Sequence, residues 1–63
     1  MCLSKVFEVR DGEESLVMEY AASMTIEGDS LIFTDIMGEE LVIKGSLKSI
    51  DLAANIIKVA TGG

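Results

Sequence analysis

The stretch LIFTDIMGEELVIKG, residues 31–45, is the clearest guide to the fold. Residues 31–37 are rich in β-branched and aromatic side chains, which is typical of a central strand. Gly38 and the two glutamates that follow it predict a turn, residues 41–43 continue as a strand, and Gly45 interrupts that strand. The stretch therefore predicts two strands joined by a short acidic turn.

The rest of the chain repeats this pattern of short strands and turns. Residues 2–10 alternate with a period of two, which predicts a strand with Leu3, Phe7 and Val9 facing a core. Asp11 and Gly12 form a strong hairpin signal. Further strands are predicted over residues 15–20, 23–27, 47–52 and 56–59, with a bend or a close approach of chains at residues 21–22 and turns at residues 28–30 and 51–55. Residues 1–63 are thus predicted to form a single all-β domain, a small curled antiparallel sheet or a small barrel of six to seven short strands.

Size and composition predict a partner or a metal. A chain of 63 residues, 49% of them apolar, has a thin core and exposes much of its apolar surface. Small domains are usually held together by disulfides, a metal or another chain. The single cysteine, Cys2, cannot form a disulfide within the chain, so a metal or a partner chain remains. We expect a homodimer that buries part of the apolar surface between subunits.

Charge and hydropathy narrow the range of partners. The formal net charge is −6, with 11 acidic residues against 5 basic ones and no basic cluster. This balance disfavours binding to nucleic acid or to an anionic membrane, including the RNA binding that small barrels often perform. No apolar run approaches the length of a membrane span, and the N-terminus has no export signal pattern. A cytoplasmic location is expected for a chain with one thiol.

The inventory of reactive side chains argues against an enzyme. Histidine is absent, so neither a Ser-His-Asp nor a Cys-His arrangement can be assembled from one chain. Carboxylate pairs occur at residues 13–14 and 39–40, each after a turn glycine. Neighbouring strand residues point to opposite faces, so these pairs are poor acid–base dyads and are interpreted as solvated turn charges.

Cys2 is the one residue with distinctive chemistry. If Met1 is removed, the thiolate and the free amine of Cys2 can form a five-membered chelate ring on a metal. If Met1 stays, the Cys2 amide and the Met1 amine are the nearby nitrogen donors. Two copies of Cys2 could meet on the axis of a dimer, and a planar set of sulfur and nitrogen donors suits Ni(II) or Cu(II) better than zinc. The alternative is that Cys2 is simply a small apolar residue.

Three stretches of the sequence, MCLSKV at residues 1–6, residues 31–45 and residues 49–57, resemble the CooT family of small nickel-binding proteins. The opening MCLSKV is similar to the family's N-terminus, residues 31–45 are similar to its strand, Glu-Glu turn, strand and glycine, and residues 49–57 are similar to its closing hairpin. The resemblance implies a homodimer that binds one Ni(II) at the subunit interface through the two Cys2 residues, with Met1 or the Cys2 backbone nitrogen as a co-ligand. It also implies an accessory role in nickel delivery to an enzyme such as carbon monoxide dehydrogenase.

A second function from a different class stays open at this stage. The chain could be a metal-free β-barrel interaction module that docks on a partner protein through an apolar or acidic face. Titration with Ni(II) separates the two hypotheses, because only the first predicts thiolate-to-nickel charge-transfer absorption at half an equivalent per chain.

Overall fold

The computed structural model describes residues 3–62, which form one six-stranded sheet. The strands are β1 (Ser4–Arg10), β2 (Glu13–Glu27), β3 (Ser30–Asp35), β4 (Glu40–Lys44), β5 (Ser46–Asp51) and β6 (Ile56–Ala60). Their order across the sheet is β4-β3-β2-β1-β6-β5, so β4 and β5 are the edges and the sheet is open. The predicted all-β sheet is confirmed, and it does not close into a barrel.

The sheet is mixed, which corrects the expectation of a purely antiparallel one. Neighbouring strands are antiparallel except for β1 and β6, which run parallel with Val6 opposite Ile57. The cause lies at Gly45, the single residue between β4 and β5, which are the two edge strands. The chain therefore passes from one edge of the curled sheet to the other, and the β5–β6 hairpin then places β6 beside β1 in the parallel sense.

Gly45 allows this passage because no side chain fits there. A Cβ atom at this position would overlap the carbonyl oxygen of Ala60 and lie 3.1 Å from Cγ2 of Thr61. The amide of Gly45 donates to the carbonyl oxygen of Asp29 at 3.2 Å, which holds the corner in place. The glycine that the sequence predicts as a strand interruption is thus the residue at which the chain passes from one edge of the sheet to the other.

Strand β2 is one long strand, not the two that the sequence predicts. Its first part pairs with β1 and its second part with β3, and Ala21 is shared, opposite Ser4 on one side and Asp35 on the other. The register shifts between Ala21 and Ser23, so the predicted bend is a β-bulge within a continuous strand. This merger explains why the structure has six strands and not seven.

The tight turn after β1 is as predicted. Asp11 and Gly12 both have positive φ, 52° and 80°, and Arg10 pairs with Glu13 across them. Positive φ at both central residues matches the right-handed twist of the adjoining strands, which is why an Asp-Gly pair favours this hairpin.

The core is small and lies on one face of the sheet. Val6, Phe33 and Val59 are fully buried, and Ala21 and Leu31 complete the cluster. Of the three residues predicted to face the core, Val9 is buried at 7% exposed, whereas Leu3 and Phe7 are half-buried. The prediction missed Val6, which lies opposite Ile57 and belongs to the cluster, while Val9 does not. We define the face of the sheet opposite this cluster as the outer face.

Candidate metal centre

The two residues predicted to bind nickel, Met1 and Cys2, lie outside the described residues. The described chain begins at Leu3, and β1 begins at Ser4. Cys2 precedes Ser4 by two residues in the sequence, and a peptide chain advances at most about 3.6 Å per residue. The surroundings of Ser4 therefore define where the predicted ligands can reach.

The start of β1 is held on both sides by neighbouring strands. Ser4 lies opposite Ala21 of β2, and Lys5 lies opposite Ile56 of β6. The amide of Lys5 donates to the carbonyl oxygen of Asn55 at 2.9 Å. Because β1 lies inside the sheet, its first residues are held by strands on both sides.

A shallow depression of about 190 Å³ lies beside this point. Its lining consists mostly of small or flexible side chains: Ser4, Ala21, Ala22, Ser23, Met24 and Ile57. The small side chains at Ser4 and residues 21–23 leave room for a second chain to approach the start of β1. Carboxylates are missing from this lining, so a metal held here would draw its donors from sulfur, hydroxyl and backbone groups.

The described residues contain no cluster of metal-binding side chains. Between residues 3 and 62, no three side chains of His, Cys, Asp or Glu come together in a way that could hold a metal ion. The whole sequence supplies one thiol and no imidazole.

The carboxylate pairs occupy exposed positions, as the sequence predicts. Glu39 and Glu40 are exposed at the β3–β4 turn, and Glu13 and Glu14 are exposed at the start of β2. Glu14 forms an ion pair with Lys58, with its Oε2 atom 2.9 Å from Nζ. The interpretation of these pairs as surface charges is consistent with this arrangement.

Sequence reasoning missed a polar network at the opposite end of β1. Oε2 of Glu8 accepts hydrogen bonds from Oγ1 of Thr61 at 2.7 Å and from Nη2 of Arg10 at 3.3 Å. The amide of Thr61 also donates to the carbonyl oxygen of Val9 at 3.0 Å. These contacts hold Thr61 against β1. The only sign of them in the sequence is the alternation of Glu8 and Arg10 with apolar residues.

Hydropathy adds one observation about the described part of the chain. Residues 3–62 contain no helix that is long and apolar enough to cross a membrane.

The fold and the position of its single thiol define a class of small proteins, built on one curled mixed sheet with Cys2 just ahead of the central strand β1. The chain belongs to the CooT family, since the family model described as CO dehydrogenase accessory protein CooT matches residues 1–60. The resemblance noted from the sequence is thereby confirmed, and the family description is that of an accessory protein.

A solved structure gives independent support for the fold. The crystal structure of a protein assigned as CooT from Carboxydothermus hydrogenoformans superposes with a TM-score of 0.87 and 24% sequence identity. The match covers 98% of this chain and 100% of that one. At this identity the likeness concerns the fold alone. Comparison with curated protein sequences finds no match.

Proposed function

We propose that the protein is a nickel-binding accessory protein, a homodimer that holds one Ni(II) at the subunit interface through Cys2 of each chain. Its role is the delivery of nickel to, or the maturation of, a nickel enzyme such as carbon monoxide dehydrogenase. The observation that carries the proposal is the match to the CooT family over residues 1–60, in a chain whose one thiol sits two residues before β1.

The chemistry of nickel supports a site shared by two chains. Two thiolates and two nitrogen donors form the planar set that Ni(II) favours, and each chain offers one thiol. The amine of Met1, or the backbone nitrogen of Cys2, is the nitrogen donor beside each thiolate. The metal is cargo in this role, so a site at the interface, formed from terminal residues, suits both its capture and its release.

The surface around Ser4 supports the dimer geometry. If two Cys2 residues share one metal, then the starts of both β1 strands lie close to the two-fold axis. Ala22 and Ser23 are exposed beside this point, and their small side chains permit the close approach. The depression that they line is the region where we expect the second subunit to pack.

The amount of exposed apolar surface also favours a second subunit. The described residues bury six apolar side chains, while ten large ones stay exposed. The exposed ones are Leu16, Val17, Tyr20, Ile26, Ile36, Met37, Val42, Leu47, Ile50 and Leu52. A single domain of this size gains stability when a partner covers part of such a surface.

The cellular setting follows from the same proposal. A thiolate ligand has to stay reduced, so we assign the protein, as one domain over residues 1–63, to the cytoplasm. The net charge of −6 favours a protein partner over nucleic acid or an anionic membrane.

Titration with Ni(II) tests the metal site. We expect thiolate-to-nickel charge-transfer absorption that saturates at half an equivalent per chain, and a dimer with one nickel by native mass spectrometry. Cys2→Ser should abolish the band and leave the circular dichroism spectrum unchanged, because residue 2 precedes the sheet. Unchanged nickel affinity in Cys2→Ser would move the site elsewhere and leave the metal-free interaction module as the better hypothesis.

A separate pair of variants tests the dimer geometry. Ala22→Arg places a long charged side chain in the depression beside Ser4, and we expect it to weaken both dimerisation and nickel binding. Ser46→Arg is the matched control, because Ser46 is exposed and lies opposite Ala60, at the other end of the β1–β6 pair. Sedimentation equilibrium that gives the same dimer constant for both variants would contradict the proposed contact.

A further inference from the structure

The β3–β4 turn presents a cluster of exposed apolar side chains. Met37 is 82% exposed, Ile36 57% and Tyr20 52%. The amide of Ile36 donates to the carbonyl oxygen of Tyr20 at 3.2 Å, so the turn lies directly beside the middle of β2. We call these three residues the apolar tip. Three large apolar side chains exposed to water on neighbouring stretches of backbone are typical of an interaction surface.

The apolar tip is rigid because one carboxylate holds the turn. Oδ1 of Asp35 accepts hydrogen bonds from the amides of Met37 and Glu39, both at 2.9 Å. The backbone of Asp35 adds two more bonds, since its amide donates to the carbonyl oxygen of Glu39 at 2.9 Å and its carbonyl accepts from Gly38 at 3.0 Å. A surface that is already ordered loses little conformational entropy on binding.

Three carboxylates flank Met37 in the chain, and we call them the acidic collar. Glu39 is exposed in the turn, Glu40 is exposed at the start of β4, and Asp35 is half-buried at the end of β3. No lysine or arginine occurs among residues 35–40. Carboxylates around an apolar centre favour a partner whose surface carries the opposite charge around an apolar pocket.

The charge of the acidic collar also indicates which kind of partner binds the apolar tip. A second copy of the chain would bring another acidic collar against the first, and like charges across an interface oppose association. An anionic membrane is disfavoured for the same reason. A protein whose apolar pocket has a basic rim would form favourable contacts with both the apolar tip and the acidic collar.

We infer that the apolar tip is the docking surface for the nickel recipient, inserting Met37 and Ile36 into an apolar pocket bordered by lysine or arginine side chains. The inference rests on the proposed delivery role, which supplies the identity of the recipient. It places the Cys2 site at the interface between subunits and recognition of the partner at the β3–β4 turn, which adjoins the depression beside Ser4 through the pair of Ala21 and Asp35.

Binding to purified nickel-free carbon monoxide dehydrogenase, measured by biolayer interferometry, tests the inference. Met37→Ser should weaken binding about tenfold or more, as expected for a residue at the centre of an interface. Leu52→Ser is the matched control, since Leu52 is 84% exposed in the β5–β6 turn, and its affinity should stay within about twofold of the unmodified chain. Glu39→Gln with Glu40→Gln should reduce the salt dependence of binding.

Each possible result bears on the inference. Equal affinities of Met37→Ser and the unmodified protein, or no binding by the unmodified protein with or without nickel, would overturn it. Loss of the dimer in Met37→Ser would make the tip a contact between copies, and Met37-dependent binding to phosphatidylcholine vesicles would make it a lipid contact. Nickel titration of the same samples reports separately on the proposed function, since tip-dependent docking without nickel binding would refute that function alone.

Discussion

Lys58 and Glu14 form an ion pair across β1, with Nζ and Oε2 2.9 Å apart. Lys58 belongs to β6 and Glu14 to β2, the two strands on either side of β1. Lys58 lies opposite Phe7, and Glu14 lies opposite Val9. The pair therefore spans the outer face of β1, and the aliphatic stem of the lysine helps to cover apolar side chains that a sheet with one core face would leave exposed.

We expect this pair to contribute through its stem more than through its charges. The two side chains are 32% and 45% exposed, and ion pairs of this kind contribute about 1 kcal/mol or less. Lys58→Met, which keeps a long apolar side chain, should change the free energy of unfolding by less than Lys58→Ala does. Urea denaturation of both variants measures this, with Glu14→Gln completing a double-mutant cycle. A coupling energy well above about 1 kcal/mol would contradict the expectation.

Charge substitutions at two valines should have opposite outcomes. Val6 is fully buried in the core cluster, so Val6→Asp should lower the free energy of unfolding by about 3 kcal/mol or more, because a carboxylate is buried without a partner. Val42 is 58% exposed on the edge strand β4, so Val42→Asp should change it by about 0.5 kcal/mol or less. Equal urea midpoints would show that Val6 is not in the core.

Gly45→Ala should destabilise the fold by steric overlap. The new methyl group would collide with the carbonyl oxygen of Ala60, which is backbone and cannot move without disturbing β6. We expect a loss of about 1–3 kcal/mol, the usual cost of overpacking. Ser46→Ala, at the next position on the exposed edge strand, is the control and should be close to neutral. Thermal unfolding by circular dichroism compares them, and a Gly45→Ala midpoint equal to the control would refute the close contact.

Extensions at the two ends of the chain should affect nickel differently. β1 and β6 are parallel, so the N-terminal end of the chain enters at one end of the pair and Thr61 leaves at the other, about 20 Å away along the seven-residue β1. Residues added before Met1 remove the nearby free amine, and we expect them to weaken or reshape the nickel site. A histidine-free extension after Gly63 should leave it unchanged.

A pH titration of the charge-transfer band on both extended proteins is the measurement. An ordinary cysteine thiol has a pKa of about 8.5 and an α-amino group one of about 7.7–8.0, and both must lose a proton to bind nickel. Binding therefore weakens as pH falls, more steeply where the amine takes part. The same band, affinity and pH midpoint in the two extended proteins would exclude the amine as a ligand.

Local features of the fold were predictable from the sequence, whereas its long-range pairing was not. Asp11 and Gly12 specify their turn through their own backbone preferences, and strand periodicity identifies where strands occur. The continuity of β2 through Ala21 depends on which strands flank it, and that information lies far away in the chain. The same holds for the face of Val6, which is set by its pairing with β6.

Some features of the candidate site were likewise predictable from the sequence, and others were not. The sequence singles out Cys2, because one thiol in a chain without histidine is chemically distinctive. It does not predict the small-residue depression beside Ser4, since that region forms only when β1, β2 and β6 come together. The role of Asp35 in holding the β3–β4 turn could not be predicted either, because it depends on the geometry of the turn and not on the chemistry of the carboxylate.

The parallel pairing of β1 with β6 has a consequence for how the protein folds. Hairpins such as β2–β3 join neighbouring segments and can form quickly, whereas β1 and β6 bring together residues such as Arg10 and Thr61, 51 positions apart. Closing so long a loop costs conformational entropy before the contacts between β1 and β6 can form. This pairing therefore gives the fold a high contact order. Folding should therefore be slow for a sheet of this size, because β6 can complete it beside β1 only after the five strands before β6 have been made.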